Sequence, residues 1–246
     1  MSYSQFDINN KKSREELRRL FVMKKTELQS MLLRGCSITD AHTIEGRNYV
    51  PINYTNPDFI NMTFEEFIVW RQSSGRFPNR ISFTSYYYYY KENVRQKLLV
   101  IYIDTAEDKK VLVTDTILLY ALIETAEFRT IICISKNGFG PGEMTKLKTQ
   151  IGTHITFQFF TDLELAFNRA NFALAPIEVQ VYLPNAVKEF EEREGLNRKQ
   201  LPLLLVNDQI AKLYGASVDS VVQTVICGSE SAIQGYYRFV RASSEK

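Results

Sequence analysis

The sequence predicts an α+β protein in two parts: an N-terminal α/β domain over residues 1–168 and a small mixed α/β domain over residues 169–246. Three observations carry this expectation. Strand-like and helix-like segments alternate after residue 95, the pattern of a small sheet with helices laid on it. The texture changes near residues 165–172, beyond which Pro176 and Pro184 bracket a short strand-like segment. The stretch from Gln200 onward is dense in turn residues and short β runs. It has the make-up of a docking module and holds no nucleophile beside a base, no metal cage and no phosphate loop.

The elements follow in chain order. Residues 1–12 are polar, and Ser13 with Glu15 and Glu16 marks a helix start, acidic groups being favoured near the positive end of the dipole. Leu17, Leu20, Phe21, Lys24, Leu28, Met31 and Leu32 recur mostly at three- and four-residue spacing, and Gly35 is placed to close the turn. Together they predict one amphipathic helix over 14–34. Thr63 is set to cap a second helix, with Glu65 and Glu66 in its first turn and Phe64, Phe67, Ile68 and Trp70 on its apolar face. Gly75 and Pro78 end it.

Ile81 and Phe83 alternate with polar residues and lead into Tyr86–Tyr90, a β-type run. Leu98–Ile103 reads as a buried strand, 110–113 as a short strand, 116–127 as a helix and 129–134 as another strand. Asn137–Gly142 reads as a turn-rich loop before a basic helix from Glu143 to about Gln150, and 155–160 as a strand. Leu163–Asn171 reads as a helix linking the halves. Glu178–Leu183 is strand-like, and Pro184 suits the first turn of a helix over 185–195 with Val187 and Phe190 on one face. Asn207 or Asp208 caps a short helix ending at Gly215, and β segments follow at about 218–227 and 235–241.

A chain of 246 residues buries roughly 70–75% of its unfolded surface and needs no disulfide or metal to fold. Hydrophobic content of 45% and charged content of 24% are ordinary for a globular protein, and a net charge of +2 does not by itself point to nucleic acid. Cys36, Cys133 and Cys227 are far apart and lack CxxC spacing, which predicts buried free thiols in a reducing compartment. No apolar run is long enough for a bilayer, and the N-terminus has no signal-peptide pattern. The expectation is an intracellular, soluble protein with no membrane partner.

Few constellations carry chemistry. His42 and His154 are distant from each other, so neither a metal site nor any other cofactor is expected. Gly138, Gly140 and Gly142 surround Pro141, but the P-loop Lys-Ser/Thr is missing and Pro141 lacks an amide hydrogen. A strand-to-helix turn is the expectation. Lys136, Lys146 and Lys148 flank that turn, either as a solvated basic face or as groups aimed at a phosphate backbone. The run Tyr86–Tyr90 lacks the interleaved Arg and Lys of a base-stacking channel. It reads instead as a strand that packs one face and shows phenol tips on the other.

From Gln200 the chain resembles the RNA polymerase subunit shared by the nuclear polymerases, fifth in size order in polymerase II, whose C-terminal domain corresponds to a small component of archaeal RNA polymerases. Gln200-Leu201-Pro202 stands intact. Asp208, Ala211, Tyr214 and Gly215 match the next motif, with Gln209 in place of proline and Lys212 in place of arginine. Val221-Val222 match a strand, and Ser229, Glu230 and Ala232 match a loop in which Ile233 replaces glycine. Tyr237, Arg238 and Val240 match the last strand. Leu174-Ala175-Pro176 is similar to the family's Leu-Val-Pro, with Phe172 where the family has histidine. Arg19-Leu20-Phe21, Thr26, Met31, Arg34 and Gly35 are similar to its first helix. The departures suggest a divergent paralogue.

The resemblance implies a jaw domain over 1–168 and an assembly domain over 169–246 of a non-catalytic subunit of a DNA-directed RNA polymerase in the nucleus. It implies docking on the largest polymerase subunit through Pro202, Asp208, Tyr214, Gly215, Tyr237 and Arg238, among other polymerase subunits. The downstream DNA duplex would face Lys136, Pro141, Lys146 and Lys148. Two alternatives stand beside it: a viral polymerase subunit of the same family, and a nuclease-like enzyme using a set such as Asp104 and Lys110.

Overall fold

A computed structural model describes residues 11–36, 60–73, 85–91, 94–103, 128–151, 155–167, 176, 178–227 and 233–242. The fold is α+β, with helices and sheets of mixed strand direction. Its backbone divides into two compact units, Met1–Phe167 and Asn168–Lys246.

In the first unit, β1 (Ser85–Lys91), β2 (Val94–Ile103), β3 (Phe128–Ser135) and β4 (Thr156–Thr161) form a four-stranded sheet in that order. β1 and β2 are antiparallel; β2, β3 and β4 run parallel. Parallel neighbours need a crossover, and the helix over Pro141–Ile151 supplies the one between β3 and β4. One face, with Leu99, Ile131, Cys133 and Phe157, packs Leu147 of α3 (Pro141–Ile151). The other face meets α1 (Lys11–Leu33), whose Lys24 and Glu27 reach Ser85, Tyr87 and Tyr102.

α1 closes as its glycine requires. Gly35 has φ 74°, and the Cys36 N–H donates back to the Met31 carbonyl at 2.9 Å, a Schellman-type bond. Its buried stripe includes Leu17, Leu20, Phe21, Lys24, Leu28 and Met31, whereas Leu32 is 45% exposed. α2 (Phe64–Ser73) starts with a capping box: the Glu66 N–H donates to Thr63 Oγ1, and the Thr63 N–H donates to Glu66 Oε2 at 2.7 Å. Phe21 lies 5.7 Å from Phe64 and 5.2 Å from Phe67, ring centroid to centroid.

With helices on both faces, β1 departs from the expected one-sided strand. Tyr87 and Tyr88, consecutive and therefore on opposite faces, are 1% and 6% exposed. The next hydroxyl, on Tyr89, donates to Gln96 Oε1 at 2.7 Å. α3 begins at Pro141, two residues before the expected start. Proline is favoured at the first helical position because the amide it lacks has no partner there. The expected helix over 163–171 is α4 (Asp162–Ala166), started by a Thr161–Glu164 capping box. Leu163 and Phe167 are 66% and 57% exposed while Leu165 is buried, so packing uses the Leu165 face, and Phe167 is the C-cap.

In the second unit, the sheet order is β5 (Glu178–Tyr182), β7 (Val221–Cys227), β8 (Ile233–Arg241) and β6 (Leu203–Leu205), with β6 parallel to β8 and the other neighbours antiparallel. One face packs Val187 and Phe190 of α5 (Val187–Glu194) on Tyr182, Val221 and Phe239. The other packs Ala211 of α6 (Gln209–Leu213) on Leu204, Val222 and Val240. Pro184 lies in the turn before α5 and not in its first turn; Ala186 is the N-cap and Gly195, at φ 64°, the C-cap. β6 was not expected, nor was the 3₁₀ turn Arg198–Gln200 before it.

The segments at 110–113 and 116–127, Ile81 and Phe83, Gly75 and Pro78, and the 229–232 turn lie outside the described residues. So do His42, His154, Asp104, Lys110 and residues 172–175. Among the described residues, no helix is long and apolar enough to cross a membrane.

Candidate functional site

The six candidate docking residues are distributed around the second unit's sheet. Asp208 is the N-cap of α6: its Oδ1 accepts from the Ile210 N–H at 2.8 Å. Gly215 follows α6 at φ 69°, a conformation that glycine takes without steric cost, and the Ala216 N–H then donates to the Ala211 carbonyl at 2.8 Å. Tyr214, between them, is partly buried, and burial pushes its phenol above the ordinary value of 10.0. Pro202 is exposed at the entry to β6, and its carbonyl accepts from the Phe239 N–H at 2.9 Å.

Tyr237 and Arg238 are neighbours on β8 and therefore point to opposite faces. Tyr237 is on the α5 face. Its ring meets Phe190 edge-on at 5.1 Å, and its hydroxyl donates to Glu194 Oε2 at 3.2 Å. Burial and the Glu194 carboxylate both raise the Tyr237 phenol above 10.0. Arg193, beside Glu194, also donates to the Tyr182 hydroxyl at 3.1 Å. Arg238 is exposed on the α6 face of the sheet, next to Tyr236 on that face and two residues along from it in sequence.

The three aromatics of β8 therefore divide. Phe239, at 4% exposed, belongs to the unit's own core, and Tyr237 is largely used internally. Tyr236 is the aromatic left available, 46% exposed, with its hydroxyl bonded to Gln234. An aromatic beside an arginine on one face fits an interface anchor, the two residue types that dominate interface energetics. Alternation along β8 was enough to place Tyr236 with Arg238; reading Tyr237 as the outward residue used the sequence match instead.

The candidate DNA-facing residues lie in the first unit. Lys136 is exposed just after β3, at the end of the sheet where α3 begins. Pro141 is exposed at the first position of α3. Lys146 and Lys148 are exposed on α3, on either side of buried Leu147 and about 200° apart around the helix axis. Lys146 and Lys148 therefore point away from each other and do not share one flat surface. The α3 N-terminus is occupied from within: the Gly140 N–H donates to Glu143 Oε2 at 2.6 Å. A carboxylate at that position repels a phosphate, so any phosphate contact falls to the lysines. The turn itself is tightly built. Gly138 has φ 68°, and a Cβ there would lie 3.1 Å from Thr161 Cγ2.

Among the described residues, no three His, Cys, Asp or Glu side chains gather as a metal site. Cys36 and Cys133 are free and buried. Burial pushes their thiols up from 9.0, to about 11 and about 12 respectively, so neither is a reactive thiolate. The Cys227 side chain is outside the described residues. No protein-family model matches the chain, and no curated protein sequence matches it at a significant level.

Proposed function

We propose that the chain is a non-catalytic subunit of a DNA-directed RNA polymerase of the nuclear type. The second unit docks on the largest subunit, and the first lies beside the downstream duplex as part of the jaw. One observation carries this reading. Among the described residues, several that resemble the polymerase subunit between Gln200 and Val240 also build the second unit. Asp208 caps α6, Gly215 takes the left-handed turn, Ala211 is fully buried, and Val221 and Val222 supply one core residue to each sheet face. A pattern that coincides with a cap, a turn and a two-sided core supports a shared module, since these positions dictate the backbone.

In this reading the chain works in the nucleus, carries no catalytic residue and needs no metal or cofactor of its own. Tyr236 and Arg238 join the docking surface, while Asp208 and Gly215 shape it without touching the partner. DNA contact is electrostatic and independent of sequence, through phosphates. Asp104 and Lys110, on which the nuclease-like alternative rests, lie outside the described residues.

Affinity purification of the tagged chain from native extract, with mass spectrometry of co-eluting proteins, tests this. The largest polymerase subunit should be recovered with it. Recovery of the chain alone, at the size of a monomer, would end the proposal.

A further inference from the structure

On the α5 side of the second sheet, a cleft of ≈ 360 Å³ is lined by Pro184, Arg198, Lys199, Asp219, Phe239 and Arg241. Its base is apolar: Phe239 is buried, and the Arg241 guanidinium lies over its ring at 5.7 Å. Its rim is cationic. Arg198 is partly committed, with Nε 3.8 Å from Glu191 Oε1. Lys199 and Arg241 are exposed, and neither is in an ion pair among the described residues. Asp219, the carboxylate of the lining, is held at φ 68°.

β6 runs beside this cleft as an edge strand of the sheet. Leu203 pairs with Phe239 and Leu205 with Arg241, so both leucines share the cleft's face, and they are 60% and 48% exposed. The Phe239 N–H donates to the Pro202 carbonyl and the Val206 N–H to the Arg241 carbonyl. Residues 202, 204 and 206 therefore turn their backbone groups toward β8, and Leu203 and Leu205 turn theirs away from the sheet. The Leu205 carbonyl is taken by the Asp208 N–H at 2.9 Å. The amides of Leu203 and Leu205 and the Leu203 carbonyl remain directed outward.

We propose that this edge and cleft form a docking site for an extended acidic segment of a partner protein. The segment adds a strand along β6, lays an apolar side chain against Leu203 and Leu205, and places a carboxylate among Lys199, Arg198 and Arg241. A strand edge is matched by another polypeptide backbone, which nucleic acid does not offer. Asp219 also opposes a run of phosphates more strongly than it opposes one carboxylate. The inference deepens the docking reading and rests on it only for which protein carries the segment.

The test uses the purified full chain and a labelled synthetic peptide of about eight residues, a usual strand length, alternating Glu with Val. Fluorescence anisotropy at low salt should show saturable binding, weakened about tenfold or more by Lys199→Glu and by Arg241→Glu. Asp219→Asn, which tolerates the same backbone, should tighten it. Amide resonances of Leu203 and Leu205 should shift on titration. The inference is overturned by absent binding, by charge reversals without effect, by equal binding of a Lys–Val peptide, or by a DNA oligonucleotide that displaces the peptide. Any of these would leave co-purification with a polymerase untouched, so the two failures are distinguishable.

Discussion

Lys24 and Glu27 form an ion pair inside the first unit. The ammonium is 2.9 Å from both Glu27 oxygens and 2.7 Å from Ser85 Oγ, while Tyr87 and Tyr102 donate one hydroxyl to each carboxylate oxygen. Burial lowers the Lys24 pKa from 10.5 against the opposing pull of Glu27, and burial together with Glu27 raises Tyr87 well above 10.0. Removing one member leaves a buried charge, so Lys24→Met should cost about 3–5 kcal/mol in urea unfolding. Adding Glu27→Leu should restore only part of this, because both tyrosine hydroxyls then lack their acceptor. The sequence showed Lys24 inside an apolar stripe. It did not show why, since the first partner of Glu27, Tyr87, lies 60 residues away.

Cys133 gives a pH dependence of definite sign. Its thiol moves from 9.0 to about 12 by burial alone, so the folded state holds the proton longer than the unfolded chain. The contribution is fully present below pH 9 and is lost as pH rises toward 12. Cys133→Val should flatten the fall in stability across that window by an amount on the order of a few kcal/mol, measured by thermal unfolding at stepped pH. A curve unchanged by the substitution would remove the thiol from the account.

At the scale of elements, local chemistry decided where helices begin and end. Asp208→Ala removes the α6 cap and should cost about 1 kcal/mol. Gly138 and Gly142 should behave oppositely. Alanine at 138 meets both a positive φ and the Thr161 methyl, whereas alanine at 142 enters a helix with nothing within 4 Å. Melting temperatures should fall for Gly138→Ala by an equivalent of about 1–2 kcal/mol and rise slightly for Gly142→Ala.

Caps, positive-φ glycines and long apolar runs were legible for the same reason: each is local. β6 was not, because Leu203–Leu205 is too short to show alternation and its place is fixed by Phe239 and Arg241, far along the chain. The end of α4 at Ala166 was also hidden, since neither glycine nor proline follows it directly. The placement of Lys146 and Lys148 bears on DNA contact. Reversing each singly should lower DNA affinity unequally, with only the one on the duplex side reducing the salt slope by about one.

Across the molecule, the alternation of strands and helices conveyed a small sheet with helices laid on it, and the prolines near 176 and 184 marked a change of texture. Sheet order β5-β7-β8-β6 was not legible, because it joins strands whose only mutual signal is burial on two faces. The candidate docking set was read from a motif, and the structure divides it into residues that shape the unit and residues that its surface offers. That division is what the functional account depends on.

The most direct test expresses residues 169–246 and 1–168 separately with the same tag and recovers each from native extract. The account predicts that 169–246 brings down the largest RNA polymerase subunit and that Arg238→Glu with Tyr236→Ala weakens this recovery. Recovery by 1–168 alone, or by neither fragment nor the whole chain, would contradict it.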